Sequence, residues 1–476
     1  MNALNNKKII LFGIFFAIFS ASYNFYFFSN QNTYLLHAYL LSNPDVLNND
    51  WLSNTIDGTP VFSIFTSYLF SFGDALAINF NKIFEVIFYV YLFKLIQRSY
   101  PTKNQIELAL IVLIICFASS YFLPIFMGLK GQSILGGIYQ PSIFGVFLLS
   151  SLYHYLEKQY IKSYAFLLIA TIFHPSLLLT SVTLGIIFLL FLKNYKQQLI
   201  FLSAGIIGFI PLILYIYFNI YVLEYSSSAS NILVNFRIPH HADLSNFNFL
   251  DVVRIILCAL CIYACKDDFL KKILLATFVF ICFYLVLANV IDSNSFLLLF
   301  PMRISQLLLP IVITVVSIEI FYYLKNFIDR IISERAIILC CKLVVSILVI
   351  LNSAIVYKKM NNDLFYNLTS FTSQEEVWLI PPDSANIRLN LKQPVFIDEK
   401  SHPINHKEIT EWKTRLDYAS EFYSSSSESE QQNALNEIKN ISNIGYVLTE
   451  SPDTILINLD LIYQNNNRNL FLYKVR

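Results

Sequence analysis

The stretch that decides the fold covers residues 163–192 and reads SYAFLLIATIFHPSLLLTSVTLGIIFLLFL. It is an apolar run broken at His174-Pro175, and lysines flank both of its ends. A spanning helix needs about 20 apolar residues, whereas proline removes a backbone donor and disfavours helix in the residue before it. The stretch therefore predicts a helical hairpin that turns at His174-Pro175, with both ends on the same side of a membrane.

The composition of the whole chain also indicates a membrane protein. Hydrophobic residues make up 56% of the 476 residues and charged residues only 14%, which excludes an ordinary soluble domain. The net charge of +1 gives no basic excess, so the sequence predicts no nucleic-acid partner. The seven cysteines all fall in apolar stretches, and their spacing indicates neither a disulfide framework nor a metal site.

Apolar runs long enough to span a membrane occur throughout the first 357 residues. Together with the hairpin they predict a polytopic α-helical membrane protein of about eleven membrane segments. The other runs are 8–28, 76–97, 105–125, 138–156, 199–219, 250–265, 271–291, 302–324 and 336–356. The first run lacks a small-residue cleavage site, so we expect it to remain as a span.

Short loops rich in lysine and arginine indicate which side of the membrane is cytoplasmic. In the predicted topology they share one face, and they hold Lys7 and Lys8, Arg98 and Lys103, Lys158 and Lys162, Lys193 and Lys196, Lys266, Lys271 and Lys272, and Lys325, Arg330 and Arg335. This pattern places the N-terminus in the cytoplasm. In the inner membrane of a bacterium, the long loops 29–75 and 220–249 would then be periplasmic.

The composition turns polar after Tyr357, so the chain divides into a transmembrane domain of residues 1–357 and a soluble periplasmic domain of residues 358–476. The pattern of the second domain predicts helices at 407–422 and 428–440, and strands at 377–380, 394–398, 445–449 and 470–475. We therefore expect a small α/β domain at the C-terminus.

An acidic loop follows the first predicted span and reads HAYLLSNPDVLNNDW over residues 37–51. An acid beside an aromatic residue at the outer interface suits a catalytic base that takes a proton from an acceptor hydroxyl. Asp50 is the first candidate for this base. The alternative is that Asp45, Asp50 and Asp57 cap helices or form turns, because Asn-Pro-Asp and Asp-Gly are ordinary turn sequences.

The second external loop holds the densest group of candidate site residues, FRIPHHAD at residues 236–243. Arg237, His240 and His241 would hold a phosphate or pyrophosphate through charge-assisted hydrogen bonds, or contribute to a divalent metal site. Phosphate contact is favoured, because two adjacent histidines with one acid match no common metal motif. A purely structural loop is the alternative.

A third candidate, Arg303, lies near the outer start of a long apolar run. An arginine at membrane depth costs roughly 2.5–3.5 kcal/mol unless it is paired or hydrated, so we expect it to face a polar cavity. The alternative is that Arg303 snorkels to the nearby interface. His174 is expected to reach the same external cavity from the hairpin turn, although a histidine bonded to a backbone carbonyl is the commoner arrangement.

Together these features resemble the GT-C superfamily, the multi-spanning glycosyltransferases that take a sugar from a polyprenyl-phosphate carrier, and in particular a bacterial branch of it. The resemblance rests on Asn49-Asp50-Trp51, Phe173-His174-Pro175, Arg237-x-Pro239-His240-His241, Arg303, Leu379-Ile380-Pro381-Pro382 and Glu411-Trp412-Lys413-Thr414-Arg415.

The resemblance implies an inverting hexosyl- or pentosyltransferase that moves a sugar from a polyprenyl-phosphate carrier to an extracytoplasmic glycan, lipid or protein acceptor. Asp50 would be the base, while Arg237, His240, His241 and Arg303, with His174 beside them, would bind the departing phosphate. The need for a divalent cation stays open. So do three other functions: a transporter or flippase for a lipid-linked glycan, a polysaccharide polymerase or ligase, and a non-catalytic envelope assembly protein.

Overall fold

The computed structural model describes residues 4–121, 127–218, 226–242, 247–291, 293–328, 333–360, 366–465 and 469–475. The described residues are mostly helical, and a four-stranded sheet lies near the C-terminus. They divide into two compact units, each assembled from three stretches of the chain. The first unit contains Met1–Tyr23, Asn79–Tyr215 and Ile238–Lys359, and the second contains Asn24–Ile78, Ile216–Arg237 and Met360–Arg476.

The first unit is an assembly of helices. Its described helices are Asn6–Phe19, Asn81–Ser99, Gln105–Tyr121, Val146–Leu156, Tyr160–Phe173, Leu178–Phe191, Tyr195–Ile216, Pro239–Ala242, Phe249–Ala264, Asp268–Val290, Asn294–Leu297, Ser305–Ile328 and Glu334–Met360. Short 3-10 turns lie at Leu129–Gly131, Pro141–Gly145, Pro175–Leu177 and Pro301–Ile304.

Five helical stretches among the described residues are long and apolar enough to cross a membrane. They are Asp74–Ser99, Tyr195–Ile216, Asp268–Val290, Asn294–Phe327 and Arg335–Met360. Five shorter apolar helices accompany them: Pro60–Phe70, Gln105–Ser120, Pro141–Leu156, Tyr160–Phe173 and Pro175–Phe191. The prediction of a multi-pass helical membrane protein is thereby confirmed. The number of about eleven segments stays a prediction.

The predicted interruption at His174-Pro175 is confirmed. One helix ends at Phe173, a 3-10 turn covers Pro175–Leu177, and the next helix begins at Leu178. Thr171 Oγ1 donates a hydrogen bond of 2.7 Å to Ser181 Oγ across the break. The break exists because Pro175 has no N–H to donate and disfavours helical geometry at His174.

The second unit contains the sheet and short helices. Its described helices are Gln31–Tyr34, Leu36–Ser42, Pro60–Phe70, Asp74–Ile78, Ser227–Asn231, Ile387–Leu391, His406–Ser424 and Glu428–Ile441, with a π-helix at Ile232–Arg237 and 3-10 turns at Leu52–Asn54, Tyr366–Phe371 and Pro452–Thr454. The strands are Val377–Leu379, Ile444–Thr449, Asp460–Asn465 and Leu470–Lys474.

The sheet has the spatial order first, second, fourth, third strand. Its first two strands pair in parallel, and the remaining pairs are antiparallel. The helix His406–Ser424 buries one apolar face at a spacing of three and four residues, formed by Ile409, Trp412, Leu416, Ala419 and Phe422. This face packs into a core with Val377, Leu379 and Val447 from the sheet. The prediction of a small C-terminal sheet is confirmed.

Residues 394–398 differ from the prediction, because they do not form a strand. Val395 makes only an isolated bridge with Trp378. Its N–H donates to Asp50 Oδ2 over 2.9 Å, so it is not available to a further strand. The strand Asp460–Asn465 was not predicted, because it is a largely exposed edge strand whose apolar and polar residues do not alternate.

Candidate functional site

The predicted site residues fall into two groups. His174, His240, His241 and Arg303 belong to the first unit, whereas Asp50 and Arg237 belong to the second. Within the first unit, Arg303 contacts His174 directly, and His241 contacts a neighbouring loop. The loop residue Asp243 lies outside the described residues.

Arg303 is buried at the N-terminal end of the long apolar helix Ser305–Ile328. The chain reaches it through Phe300, whose φ of 53° is left-handed, and through the turn Pro301–Ile304. The Phe300 ring lies beside the guanidinium, with 4.5 Å between the ring centroid and Cζ of Arg303. Because the side chain is buried, it does not snorkel to an interface.

Three polar side chains contact the Arg303 guanidinium. Its Nε donates to Gln132 Oε1 over 3.0 Å, and its Nη1 contacts Ser176 Oγ and His174 Nε2. Ser176 Oγ also lies 2.7 Å from His174 Nε2. Since arginine only donates, His174 Nε2 must accept, which places the ring proton on Nδ1 and leaves the imidazole neutral. These contacts join a fixed cation to three neutral polar groups.

The side-chain amide of Gln132 has a donor that is not used. Its oxygen accepts from Arg303, while its Nε2 is buried and has no hydrogen-bond partner within the described part of the chain. A buried donor without an acceptor costs roughly 1–3 kcal/mol, and such groups commonly bind water, an ion or a ligand. Gln132 therefore presents a donor to an anion beside the positive charge of Arg303.

The loop at residues 128–132 reads GLKGQ and packs against the start of the Arg303 helix. Leu129 N donates to Ser305 Oγ over 2.8 Å. A Cβ on Gly128 would lie 2.5 Å from the same oxygen, so only glycine fits there without movement. Lys130 is buried with a left-handed φ of 56°. The loop is thus tightly fixed where it supplies Gln132.

The same loop contacts Asp251 in the first turn of the helix Phe249–Ala264. Asp251 Oδ1 accepts from Lys130 N over 3.2 Å and from Arg254 Nη1 over 2.9 Å. Asp251 Oδ2 is buried, and none of the described residues is its hydrogen-bond partner. The loop therefore connects a basic cluster at Arg303 with a carboxylate that retains an unused acceptor.

The two predicted histidines of the second external loop differ in their surroundings. His241 Nδ1 lies 2.8 Å from the carbonyl oxygen of Lys130, so this nitrogen carries a proton. His240 is exposed, and the two ring centroids are 4.1 Å apart. His241 therefore contacts the loop 128–132. The same loop contains Gln132 and the Lys130 N–H that donates to Asp251.

A set of ion pairs marks other helix ends of the first unit. Arg98 lies 2.6 Å from carboxylate oxygens of both Glu157 and Asp267. Lys325 lies 2.5 Å from Glu107. All of these residues are in or beside the loops that the sequence places in the cytoplasm. The ion pairs therefore group several of the lysine- and arginine-rich loops together.

Two helices connect this set of ion pairs with the Arg303 cluster. The helix Ser305–Ile328 begins next to Arg303 and carries Lys325 in its last turn. The 20 residues from Ser305 to Lys325 rise roughly 30 Å, which matches the hydrocarbon thickness of a bilayer. The helix Phe249–Ala264 begins beside the loop 128–132 and ends just before Asp267. The candidate site and the ion pairs therefore lie at opposite ends of these helices.

In the second unit, Asp50 belongs to a buried ion cluster. Its Oδ2 accepts from Arg388 Nε over 2.8 Å and from Val395 N over 2.9 Å, and its Oδ1 accepts from Leu52 N over 3.0 Å. Arg388 also pairs with Asp398, and all three charged side chains are almost completely buried. Burial opposes the charge on Arg388, but the two aspartates raise its pKa above the ordinary value. Both Asp50 oxygens are thus occupied.

Arg237 lies at the end of the π-helix Ile232–Arg237. Its Nη2 donates to the carbonyl oxygen of Lys400, and its Nε is buried without a hydrogen-bond partner among the described residues. Burial lowers the pKa of Arg237 from its ordinary value. Arg237 is thus a second basic group with an unused donor, and it belongs to the second unit.

Several residues of these clusters were not predicted from the sequence, among them Gln132, Lys130, Asp251 and Arg388. The sequence does carry one signal for the first two, because GLKGQ places a lysine between two glycines directly after an apolar run. The residues around Asp251 and Arg388 give no indication of their roles, because each of the two contacts a partner more than 100 positions away in sequence.

Over the described part of the chain, no group of three or more His, Cys, Asp and Glu residues is arranged to hold a metal ion. Around Asp251 the neighbouring cation Arg254 would also repel a divalent cation. The residues of the first-unit site therefore fit an anionic ligand better than a metal.

The chain was compared with known families, curated proteins and solved structures. Residues 363–419 match a domain of unknown function (DUF6798). No curated protein matches.

The chain is similar to the arabinofuranosyltransferase AftD from Mycobacteria, with 9% identity and a TM-score of 0.48, covering 100% of this chain and 40% of that protein. It is also similar to an oligosaccharyltransferase of Archaeoglobus fulgidus, with 12% identity and a TM-score of 0.42, covering 92% of this chain and 67% of that one. The activity of this chain therefore has to be inferred from its own residues.

Proposed function

We propose that this chain is a membrane glycosyltransferase that moves a sugar from a polyprenyl-phosphate carrier to a glycan, lipid or protein acceptor. The reaction would occur on the extracytoplasmic side of a bacterial inner membrane. The observation that carries the proposal is the buried contact between Arg303 and Gln132, whose Nε2 remains an unused donor next to the cation.

An anionic phosphate suits this cluster. Arg303 supplies a fixed positive charge, and Gln132 Nε2 supplies a neighbouring neutral donor. In a bundle of apolar helices the local dielectric constant is low, so the developing charge of a departing phosphate is stabilised more strongly than in water. The leaving group would therefore be bound most tightly as it departs, which is what accelerates a displacement.

The position of the cluster suits a carrier that is embedded in lipid. It lies at the beginning of the helix Ser305–Ile328, roughly 30 Å along the helix from Lys325. If the lysine-rich loops are cytoplasmic, the cluster lies close to the outer headgroups. The phosphate of a polyprenyl carrier occupies that level of the membrane.

Among the other predicted residues, His174 would hold Arg303 in place as a neutral acceptor, and His241 would support the loop that carries Gln132. Asp50 as the catalytic base and Arg237 and His240 as phosphate ligands stay predictions. Both oxygens of Asp50 already accept hydrogen bonds, so we propose that it instead stabilises the second unit through Arg388.

The test is sugar transfer in reconstituted vesicles from a panel of radiolabelled polyprenyl-phosphate sugars. Arg303→Lys keeps the charge but loses the planar fork that binds phosphate and Gln132, so kcat/KM should fall by about 10- to 100-fold. Arg335→Lys is the matched control, because Arg335 is exposed in a predicted cytoplasmic loop.

Equal activity of Arg303→Lys and Arg335→Lys would contradict the assigned site. Movement of the carrier across the bilayer without transfer would favour a flippase, and neither activity across the panel would favour an assembly protein.

A further inference from the structure

We infer that Asp251 is the catalytic base of this chain, taking the proton from the acceptor hydroxyl through its Oδ2 atom. The inference rests on the proposed function and assigns a residue that the sequence did not indicate. The two oxygens of the buried Asp251 carboxylate have different surroundings.

The first oxygen of Asp251 fixes the position of the carboxylate. Oδ1 accepts from the backbone N–H of Lys130 over 3.2 Å and from Arg254 Nη1 over 2.9 Å. The Asp251 N–H donates to the side chain of Asn248, which caps the same helix. A base held by groups of this kind keeps its orientation without help from the ligand.

The second oxygen of Asp251 can accept a further hydrogen bond. Oδ2 is buried and has no hydrogen-bond partner among the residues that the structure describes, whereas a buried carboxylate oxygen normally accepts at least one hydrogen bond. A hydroxyl group would supply the missing donor. General bases act from such hydrogen-bonding distance of the proton that they remove.

Asp251 is also linked to the proposed phosphate site. Lys130, which donates to Asp251, and Gln132, which accepts from Arg303, are two residues apart in one loop. Two residues of extended chain span at most about 7 Å. Gly128 and Leu129 fix that loop against Ser305, so the carboxylate and the guanidinium are held relative to each other.

The comparison with Asp50 favours Asp251 on hydrogen bonding alone. Asp50 accepts through both of its oxygens, one of them bound to the buried Arg388. Protonation of Asp50 would weaken its ion pair with the buried Arg388. Asp251 can accept a proton without losing any of the contacts described for Oδ1.

In the proposed displacement, every proton and electron pair has a donor and an acceptor. The acceptor hydroxyl loses its proton to Asp251 Oδ2 while its oxygen forms a bond to the anomeric carbon. The bond between the anomeric carbon and the phosphate oxygen breaks, and its electron pair leaves with the polyprenyl phosphate near Arg303. Asp251 later releases the proton to water, so the step consumes no further reactant.

Asp251→Asn tests this assignment, because the amide oxygen keeps both Oδ1 contacts and only Oδ2 is replaced by a donor. The full chain in vesicles should lose about 100- to 10,000-fold in kcat, with the KM for the polyprenyl-phosphate sugar unchanged, while the thermal unfolding temperature should fall because the buried Arg254 loses its charged partner. Asp268→Asn is the matched control: it is the same substitution at an exposed position of the first unit, and it should keep the rate of the unmodified chain.

Loss of less than about threefold in kcat for Asp251→Asn would overturn the assignment while leaving the glycosyltransferase proposal intact. If that variant does not fold, Asp251→Glu decides, because it keeps the carboxylate but displaces it by one methylene group. Its kcat should fall by about 10- to 100-fold with the KM for the polyprenyl-phosphate sugar unchanged, and an unchanged kcat overturns the inference. Absence of transfer by the unmodified chain from every donor overturns both proposals.

Discussion

Arg303 Nε donates a hydrogen bond of 3.0 Å to Oε1 of Gln132, a residue 171 positions earlier in the chain. His174, which contacts the same guanidinium, is 129 positions from Arg303. The cluster therefore exists only when three separate segments of the first unit fold together. Its formation depends on how closely those segments pack, and this makes the contact sensitive to substitutions that do not touch Arg303.

The first prediction concerns the glycine that allows this packing. In Gly128→Ala the new Cβ would lie 2.5 Å from Ser305 Oγ, so the loop must move away from the helix that follows Arg303. Overpacking of this kind costs about 1–3 kcal/mol of unfolding free energy, and transfer activity should fall with it. Thermal unfolding in detergent and the transfer rate measure the two effects.

Gly205→Ala is the control for that substitution. Gly205 lies within the helix Tyr195–Ile216, and a Cβ there meets no atom within 4 Å. Alanine in a helix is favoured over glycine by about 0.5–1 kcal/mol, so this variant should be as stable as the unmodified chain or more so. Equal stability of the two alanine variants would show that the loop is not closely packed.

The second prediction concerns the buried ion cluster of the second unit. Arg388→Met leaves Asp50 and Asp398 buried without their shared cation, which should cost about 3–5 kcal/mol. The three tryptophans Trp51, Trp378 and Trp412 all belong to the second unit, so their fluorescence reports its unfolding. The exposed Lys439→Met should leave the transition unchanged, and an equally small effect at Arg388 would refute a structural role for the cluster.

The third prediction is a loss of stability of the second unit at acid pH. Burial lowers the pKa of His37 and His406, and burial with Arg237 and Lys400 nearby lowers that of His402 to about 3. The ordinary value is about 6.5, so below that pH the unfolded chain binds more protons than the folded one. Stability is therefore complete above pH 6.5 and decreases as the pH falls.

Tryptophan-monitored unfolding at pH 7.5 and 5.5 measures this dependence. His402→Asn should reduce the difference between the two transitions, whereas His154→Asn, which lies in the first unit, should leave it unchanged. Identical transitions of the unmodified chain at both pH values would contradict the burial of these histidines in their neutral form.

The fourth prediction concerns the orientation in the membrane. The exposed Leu299 precedes Arg303, and the exposed Lys193 lies in a predicted cytoplasmic loop. With the exposed Cys282 and Cys340 replaced by serine, a membrane-impermeant maleimide should label Leu299→Cys in intact cells and Lys193→Cys only after permeabilisation. The reverse pattern would place the candidate site on the cytoplasmic side.

The sequence predicted those features that depend on local patterns. Pro175 marked the helix break, and the pattern of the C-terminal residues marked the helices at 407–422 and 428–440. Runs of apolar residues likewise predicted a multi-pass membrane protein. In each case the physical cause acts within a few residues, so it can be read from the sequence.

The sequence did not predict features that depend on distant partners. The sequence shows Asp50 only as an acid in a loop. The folded chain shows that its carboxylate accepts hydrogen bonds from Arg388 and Val395. Likewise, Gln132 and Asp251 become candidates because each has one buried atom without a hydrogen-bond partner. Such a property requires knowledge of every neighbouring atom, and residue type alone does not contain it.

The most direct test of the proposed activity is the fate of the lipid carrier. Purified chain in vesicles would receive a polyprenyl-phosphate sugar and an acceptor, and mass spectrometry would follow both lipid and product. We predict one polyprenyl monophosphate released for each sugar transferred, with both falling together in Arg303→Lys. Recovery of the polyprenyl-phosphate sugar unchanged, whether or not it has crossed the bilayer, would contradict a glycosyltransferase.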